Sequence, residues 1–179
     1  MSDHTHAHSL LGLELDNGAV LLRFTATTHE TGGALHAQEA RYAPRSPLPP
    51  YHRHPSQDER FVVQEGSLRF IVDGAERLVR RGETLDVPRG ALHQAQNPFD
   101  EPAVVLWETR PALRSAEMYR ALYRLARATE KAPLLGAAVV LSEFRAEFEL
   151  EKPPRWLQHL VFGCLAPIGR LAGYGHLLE

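Results

Sequence analysis

The chain of 179 residues has a single cysteine, Cys164, so no intrachain disulfide can form. One thiol fits a reducing compartment and makes a cytoplasmic setting the expectation. No run of about 18 apolar residues occurs, which leaves no ordinary transmembrane helix. The stretch from Met1 to His8 is polar and lacks an apolar h-region, so no secretory signal is expected. Neither sign of charge is in excess: 20 basic residues face 22 acidic ones, for a net charge of −2. A nucleic-acid binder that relies on phosphate contacts would be clearly basic, so no nucleic-acid partner is expected. No internal repeat is visible.

What is present describes a globular chain, 44% apolar and 23% charged, of a size for one domain with an appendage. Residues 1–9 read as a flexible tail in which His4, His6 and His8 alternate with other residues. Holding them on a metal would cost chain entropy, which favours a disordered tail over a site. Residues 10–110 read as a β-barrel or sandwich. Val20, Leu22 and Phe24 alternate with more polar neighbours, as do Leu68, Phe70 and Val72, and turn signals such as Asn17-Gly18, Asp73-Gly74 and Arg81-Gly82 recur. Four prolines between Pro44 and Pro50 require an extended connector.

Residues 111–179 read as a helical extension. Met118, Tyr119, Leu122 and Leu125 recur at helical spacing, with Arg120, Arg124 and Arg127 on a solvated face. A second helix is expected over 134–150, with Phe144 and Phe148 on one side. A third runs over 156–165, limited by Pro167 and Gly169. Cys164 falls in the apolar stripe of that third helix and reads as a buried core thiol. Strand edges and the apolar C-terminal helices make a homodimer the expected state, with peripheral membrane contact by those helices as the weaker reading.

The chemistry is concentrated in Tyr51-His52-Arg53-His54-Pro55-Ser56-Gln57-Asp58-Glu59. On a strand, side chains two apart share a face, so His52 and His54 project side by side. Glu59 opens the next strand, and His93 starts another after the turn Pro88-Arg89-Gly90. Three imidazoles and one carboxylate suit a divalent transition metal, Fe, Mn, Co, Ni, Cu or Zn, better than Ca or Mg. Four protein ligands leave one or two positions open on a five- or six-coordinate ion, as catalysis requires.

The spacing His-x-His-x4-Glu-x6-Gly over His52, His54, Glu59 and Gly66, followed by Gly-x5-Pro-x-Gly-x2-His-x3-Asn over Gly82, Pro88, Gly90, His93 and Asn97, resembles the two motifs of the cupin superfamily. One departure is Ser46, where the family's first motif usually opens with a glycine. The resemblance implies a mainly β fold, a jelly-roll barrel over 10–110, followed here by C-terminal α-helices that it does not cover. It also implies that His52, His54, Glu59 and His93 are the metal ligands, with Glu59 either a permanent ligand or a catalytic base.

Strand parity turns Phe61, Val63, Phe70 and Trp107 inward as the walls of a substrate pocket, or as plain barrel filling. Such a pocket is mostly apolar and favours an uncharged or aromatic small molecule. His36, Gln38 and Tyr42 share one strand face and would either add polar contacts or lie outside. The functional expectation is a metal-dependent oxidoreductase, a dioxygenase by analogy of fold. The alternatives are a non-redox isomerase, cyclase or lyase using the same metal, and a non-catalytic small-molecule binder.

Overall fold

The computed structural model describes residues 9–128 and 133–179. The histidines of the N-terminal tail, His4, His6 and His8, lie outside the described residues. In chain order the elements are β1 (Glu14–Asp16), β2 (Val20–Ala26), α1 (Thr28–Thr31), β3 (His36–Tyr42), β4 (His52–Arg53), β5 (Asp58–Glu65), β6 (Ser67–Val72) and β7 (Ala75–Arg80). They continue with β8 (Thr84–Val87), β9 (His93–Gln96), β10 (Ala103–Arg110), α2 (Ser115–Arg127), α3 (Pro133–Glu143), β11 (Glu149–Leu150) and α4 (Arg155–Leu171). A 3-10 turn, Tyr174–Leu178, follows.

Two antiparallel sheets form the barrel. One has the order β1-β2-β3-β10-β5-β8 and the other β11-β4-β9-β6-β7. The alternation of β6, with Leu68 and Phe70 buried between less buried neighbours, is what one solvated face and one buried face produce. Leu22, Phe24, Phe61, Phe70 and Val105 fill the space between the sheets. At the β5–β6 turn, Gly66 adopts φ 69°, and a Cβ there would lie 2.6 Å from the Pro102 carbonyl oxygen, so only glycine fits. Ser46, the departure from the family's usual glycine, is buried, and its hydroxyl accepts the Asn97 amide at 2.9 Å. The hydroxyl thereby ties the opening of the first motif to the end of the second.

The helices differ from the sequence expectation in two places. The helix expected over 134–150 stops at Glu143, and Glu149–Leu150 instead form a strand. That strand adds to the edge of β4, with Glu149 opposite Arg53 and Leu150 opposite His52. The alternation Glu147-Phe148-Glu149-Leu150-Glu151 has period two, which suits an edge strand better than a helix face. The third helix runs through Pro167 to Leu171. Pro167 is on the exposed side, and residue i−4, whose carbonyl faces its ring, is the side-chain-free Gly163. Helix α4 packs on α3, with Phe162, Ala166 and Gly169 on its buried face. A Cβ on Gly169 would meet Val139 Cγ2 at 2.7 Å and the Leu135 oxygen at 2.8 Å, so the two helices approach almost backbone to backbone there.

Cys164 is exposed, not buried as its stripe suggested. The buried stripe of α4 is the neighbouring one, and Cys164 shares its face with Trp156, Leu160 and Ile168, all exposed. Among the described residues no helix is long and apolar enough to cross a membrane.

Candidate metal centre

His52 lies on β4, His54 just beyond it, Glu59 on β5 and His93 at the start of β9. The β4–β9 ladder sets His52 directly opposite His93. The ligand atoms of the three histidines lie within 4.8 Å of one another. The Glu59 carboxylate closes the group, with Oε1 3.3 Å from His54 Nε2 and Oε2 2.9 Å from His93 Nε2. All four residues are buried.

Each imidazole has its Nδ1 on a backbone carbonyl. His52 Nδ1 faces the Pro50 oxygen at 2.8 Å, His93 Nδ1 the Ala91 oxygen at 3.1 Å, and His54 Nδ1 the Glu147 oxygen at 2.6 Å. A carbonyl can only accept, so each Nδ1 carries the hydrogen and each Nε2 presents a lone pair to the centre. Second partners of this kind fix tautomer and ring orientation at metal sites. His54 Nε2 and Glu59 Oε2 are buried without a hydrogen-bond donor. His93 Nε2 and Glu59 Oε2 stand 2.9 Å apart, a distance that either a shared proton or a metal ion bound to both atoms would satisfy. Ligands at about 2.1 Å from one ion and at right angles are separated by about this distance. The residues present therefore fit a divalent transition metal.

The electrostatics agree. Burial and the neighbouring His93 and His54 push His52 down to about 3. Burial also lowers His54. Burial alone would lower His93 as well, but the Glu59 carboxylate outweighs it and raises this histidine. Burial works to raise Glu59, and the facing His54 and His93 overcome it and bring the carboxyl down to about 2. The carboxylate is thus ionised at neutral pH. The indole N–H of Trp107 donates to its Oε1 at 2.9 Å and holds it in place.

Beside this group lies a cavity of about 490 Å³ between the barrel and the C-terminal helices. His52 and His93 reach its wall, with Phe61, Trp107, Tyr119 and Phe148 around them. No lysine or arginine is among its described lining residues. Of the four side chains expected to wall the pocket, Phe61 and Trp107 do so. Val63 and Phe70 do not: they are packed in the barrel core, where Phe70 meets the Phe61 ring at 4.9 Å between centroids. Parity told which face they share, not how deep along the barrel axis they sit. Tyr42 reaches the cavity wall, whereas His36 and Gln38 are buried away from it. The helical contribution of Tyr119, Leu122, Tyr123 and Leu141 was not assigned to the pocket from sequence, although the apolar stripe of α2 marks that face as covered.

His36 stacks on Tyr119 and bonds Gln38 Oε1 through Nε2 at 3.2 Å. Burial lowers it from 6.5 to about 4. The unfolded chain therefore takes up a proton here near pH 6.5, while the folded protein resists until about pH 4. The stability this group gives is complete above pH 6.5 and is lost as the pH falls towards 4. Urea midpoints measured across that window should decline with acid in the wild type and less steeply in His36→Leu. An equal slope in both proteins would contradict this account.

A two-sheet β-barrel carries three inward, carbonyl-tethered histidines placed to hold a metal ion. Residues 38–108 match the family model of the cupin domain. A stretch of 67 residues is 36% identical to the tetracenomycin polyketide synthase protein TcmJ of Streptomyces glaucescens, spanning 37% of this chain and 45% of that protein. A stretch of 53 residues is 43% identical to a gentisate 1,2-dioxygenase of a Streptomyces species, spanning 30% of this chain and 15% of that enzyme. The matches thus span less than half the length of either curated relative. Among solved structures, KdgF from a Halomonas species is 17% identical and superposes with a TM-score of 0.51 over 58% of this chain and 92% of its own. That likeness is one of fold.

Proposed function

We propose that this protein is a metal-dependent oxidoreductase of the dioxygenase kind, acting on a flat, uncharged, mostly apolar organic molecule, with His52, His54, Glu59 and His93 as ligands. The observation that carries the reading is three tethered histidines and an ionised carboxylate at the edge of a cavity walled by aromatic rings. A bound Fe, Mn, Ni or Cu would supply Lewis acidity and one-electron chemistry with O2. The chain's own part is to bind, orient and keep water out. Phe61, Trp107 and Tyr119 offer ring faces to a planar substrate. The Tyr119 hydroxyl, buried beside Thr109 on a residue that lines the cavity, is placed to donate to a substrate oxygen. Burial, reinforced by the Glu59 charge, raises this phenol far above its ordinary value, so the proton stays on it. The Trp107 bond to Glu59 supports a permanent ligand over a carboxylate that leaves to act as base. None of the described lining residues is a lysine or arginine that would pair with a substrate carboxylate, which favours an uncharged substrate.

Elemental analysis of the purified protein, without tag or added metal, tests the reading, followed by O2-uptake assays with uncharged aromatic and diketone compounds. Near-stoichiometric redox metal with substrate-dependent O2 consumption supports it. Zinc alone with no O2 consumption turns the weight to a non-redox isomerase, cyclase or lyase. No metal even after reconstitution leaves a small-molecule binding protein.

We also infer a homodimer through α4. Trp156, Leu160, Cys164 and Ile168 recur every four residues along its exposed face, and Leu171 extends the stripe. Arg155 and Arg170 at the two ends of the helix pair with Glu149 and Glu143 of the same chain. Both arginines of α4 are thus paired within the chain, which supports a second copy over an anionic membrane surface. Leu160→Arg should convert a dimer to a monomer in light scattering, and a monomeric wild type would sink the inference. A cytoplasmic setting fits the single exposed thiol.

A further inference from the structure

The three ligand histidines are tethered in two different ways. Pro50 and Ala91, which hold His52 and His93, each precede their own histidine by two residues, so the barrel supplies both tethers locally. The tether of His54 comes from Glu147, 93 residues further along, in the turn between α3 and β11. The next residue, Phe148, lays its ring on His52 at 4.7 Å between centroids and 21° between planes, and meets His54 edge-on at 6.0 Å. The two residues after that are β11, paired with β4 in a register that sets Leu150 opposite His52.

This segment is firmly held. Gln158 of α4, buried, donates to the Leu150 oxygen at 2.7 Å and to the Pro153 oxygen at 2.6 Å. Glu149 pairs with Arg53 at 3.4 Å and with Arg155 at 3.1 Å, which ties the strand both to β4 and to α4. The Glu147 carboxylate accepts the Arg114 amide at the start of α2.

We propose that the segment Glu147–Leu150, supplied by the helical C-terminal region, is a positioning element of the metal centre: the Glu147 carbonyl sets the His54 ring, the Phe148 ring sets the His52 ring, and metal affinity depends on the helices being docked. The proposal rests on the metal reading above. Outside the barrel's own motifs, nothing else among the described residues touches both rings in this way. Without the segment, His54 would be free to rotate and to present either nitrogen, and His52 would lose the flat wall that keeps its Nε2 aimed inward. Linkage makes the effect reciprocal, so metal bound at the histidines must also strengthen docking of the segment.

The test uses the full chain, stripped of metal and titrated with Co²⁺ alone, read by its visible absorption, which reports coordination geometry. Wild type should bind one Co²⁺. Phe148→Ala should bind it about 10-fold more weakly and with altered visible bands, the range for loss of a partner that orients a ligand. Phe148→Tyr, which keeps the ring, should restore both affinity and spectrum. Should Phe148→Ala fail to fold, Phe148→Leu keeps the bulk without the flat face and should show the same loss. In wild type, Co²⁺ should slow hydrogen exchange of the 147–150 amides. Wild-type affinity and spectrum in a folded Phe148→Ala or Phe148→Leu protein would overturn the proposal while leaving the metal reading intact. Equal losses in Phe148→Ala and Phe148→Tyr would overturn the stacking role. A wild type that takes up no Co²⁺ would overturn the metal reading itself.

Discussion

Protein purified as His93→Ala from unsupplemented cells should carry well under a tenth of the metal found in wild type and still unfold as a cooperative barrel. His93 presents a lone pair to the centre, and its Nε2 is 2.9 Å from Glu59 Oε2. Removing it takes away one ligand and also the nitrogen that faces the carboxylate from the opposite sheet. Loss of a partner that merely orients a ligand costs about 10–100-fold in affinity, so loss of a ligand should cost at least as much. His54→Ala should behave likewise, because its Nε2 faces Glu59 at 3.3 Å. Elemental analysis of both variants decides the matter. Full occupancy in the two of them would refute the assignment.

A second large effect is expected away from the chemistry. Phe70→Ala should lower the unfolding free energy by about 3–5 kcal/mol, the cost of emptying a buried phenylalanine site. Phe70 has no exposed surface and packs against Phe61 inside the barrel. Its removal should leave metal content per folded molecule unchanged, since it is neither one of the clustered histidines nor a lining residue of the cavity. Urea unfolding of the metal-free protein checks the size of the loss. A change below 1 kcal/mol would mean that Phe70 does not carry the core packing described here.

The contrast between Phe70 and Phe61 shows what the sequence could and could not convey. The His-x-His pair, the carboxylate five residues on and the distant His93 were legible because strand geometry converts spacing into a shared face. The inward orientation of Phe61, Val63 and Phe70 was legible for the same reason. Which of them meets the cavity depends on position along the barrel axis, a property of how two sheets are stacked and not of alternation. Phe148 was misplaced on a helix because Phe144 and Phe148 satisfy helical spacing, while the acidic–apolar alternation from Glu147 to Glu151 carried the competing strand signal. Cys164 was misjudged because α4 has two apolar stripes, and sequence alone does not say which of them α3 covers. The carbonyl partners of the histidines could not be read from residue identity at all, since a backbone oxygen is common to every residue.

The long separation between His54 and Glu147 has a consequence for how the protein comes into being. Chains emerge from the ribosome at about 5–20 residues per second, so the partner of His54 follows it by roughly 5–20 s. In that interval a newly made barrel would have two histidines already oriented by their own neighbours and a third still loose. Ions captured early would meet an unfinished and less selective set of donors. The full set of oriented donors is therefore a late event of biosynthesis, complete only when the C-terminal region settles onto the edge of the sheet.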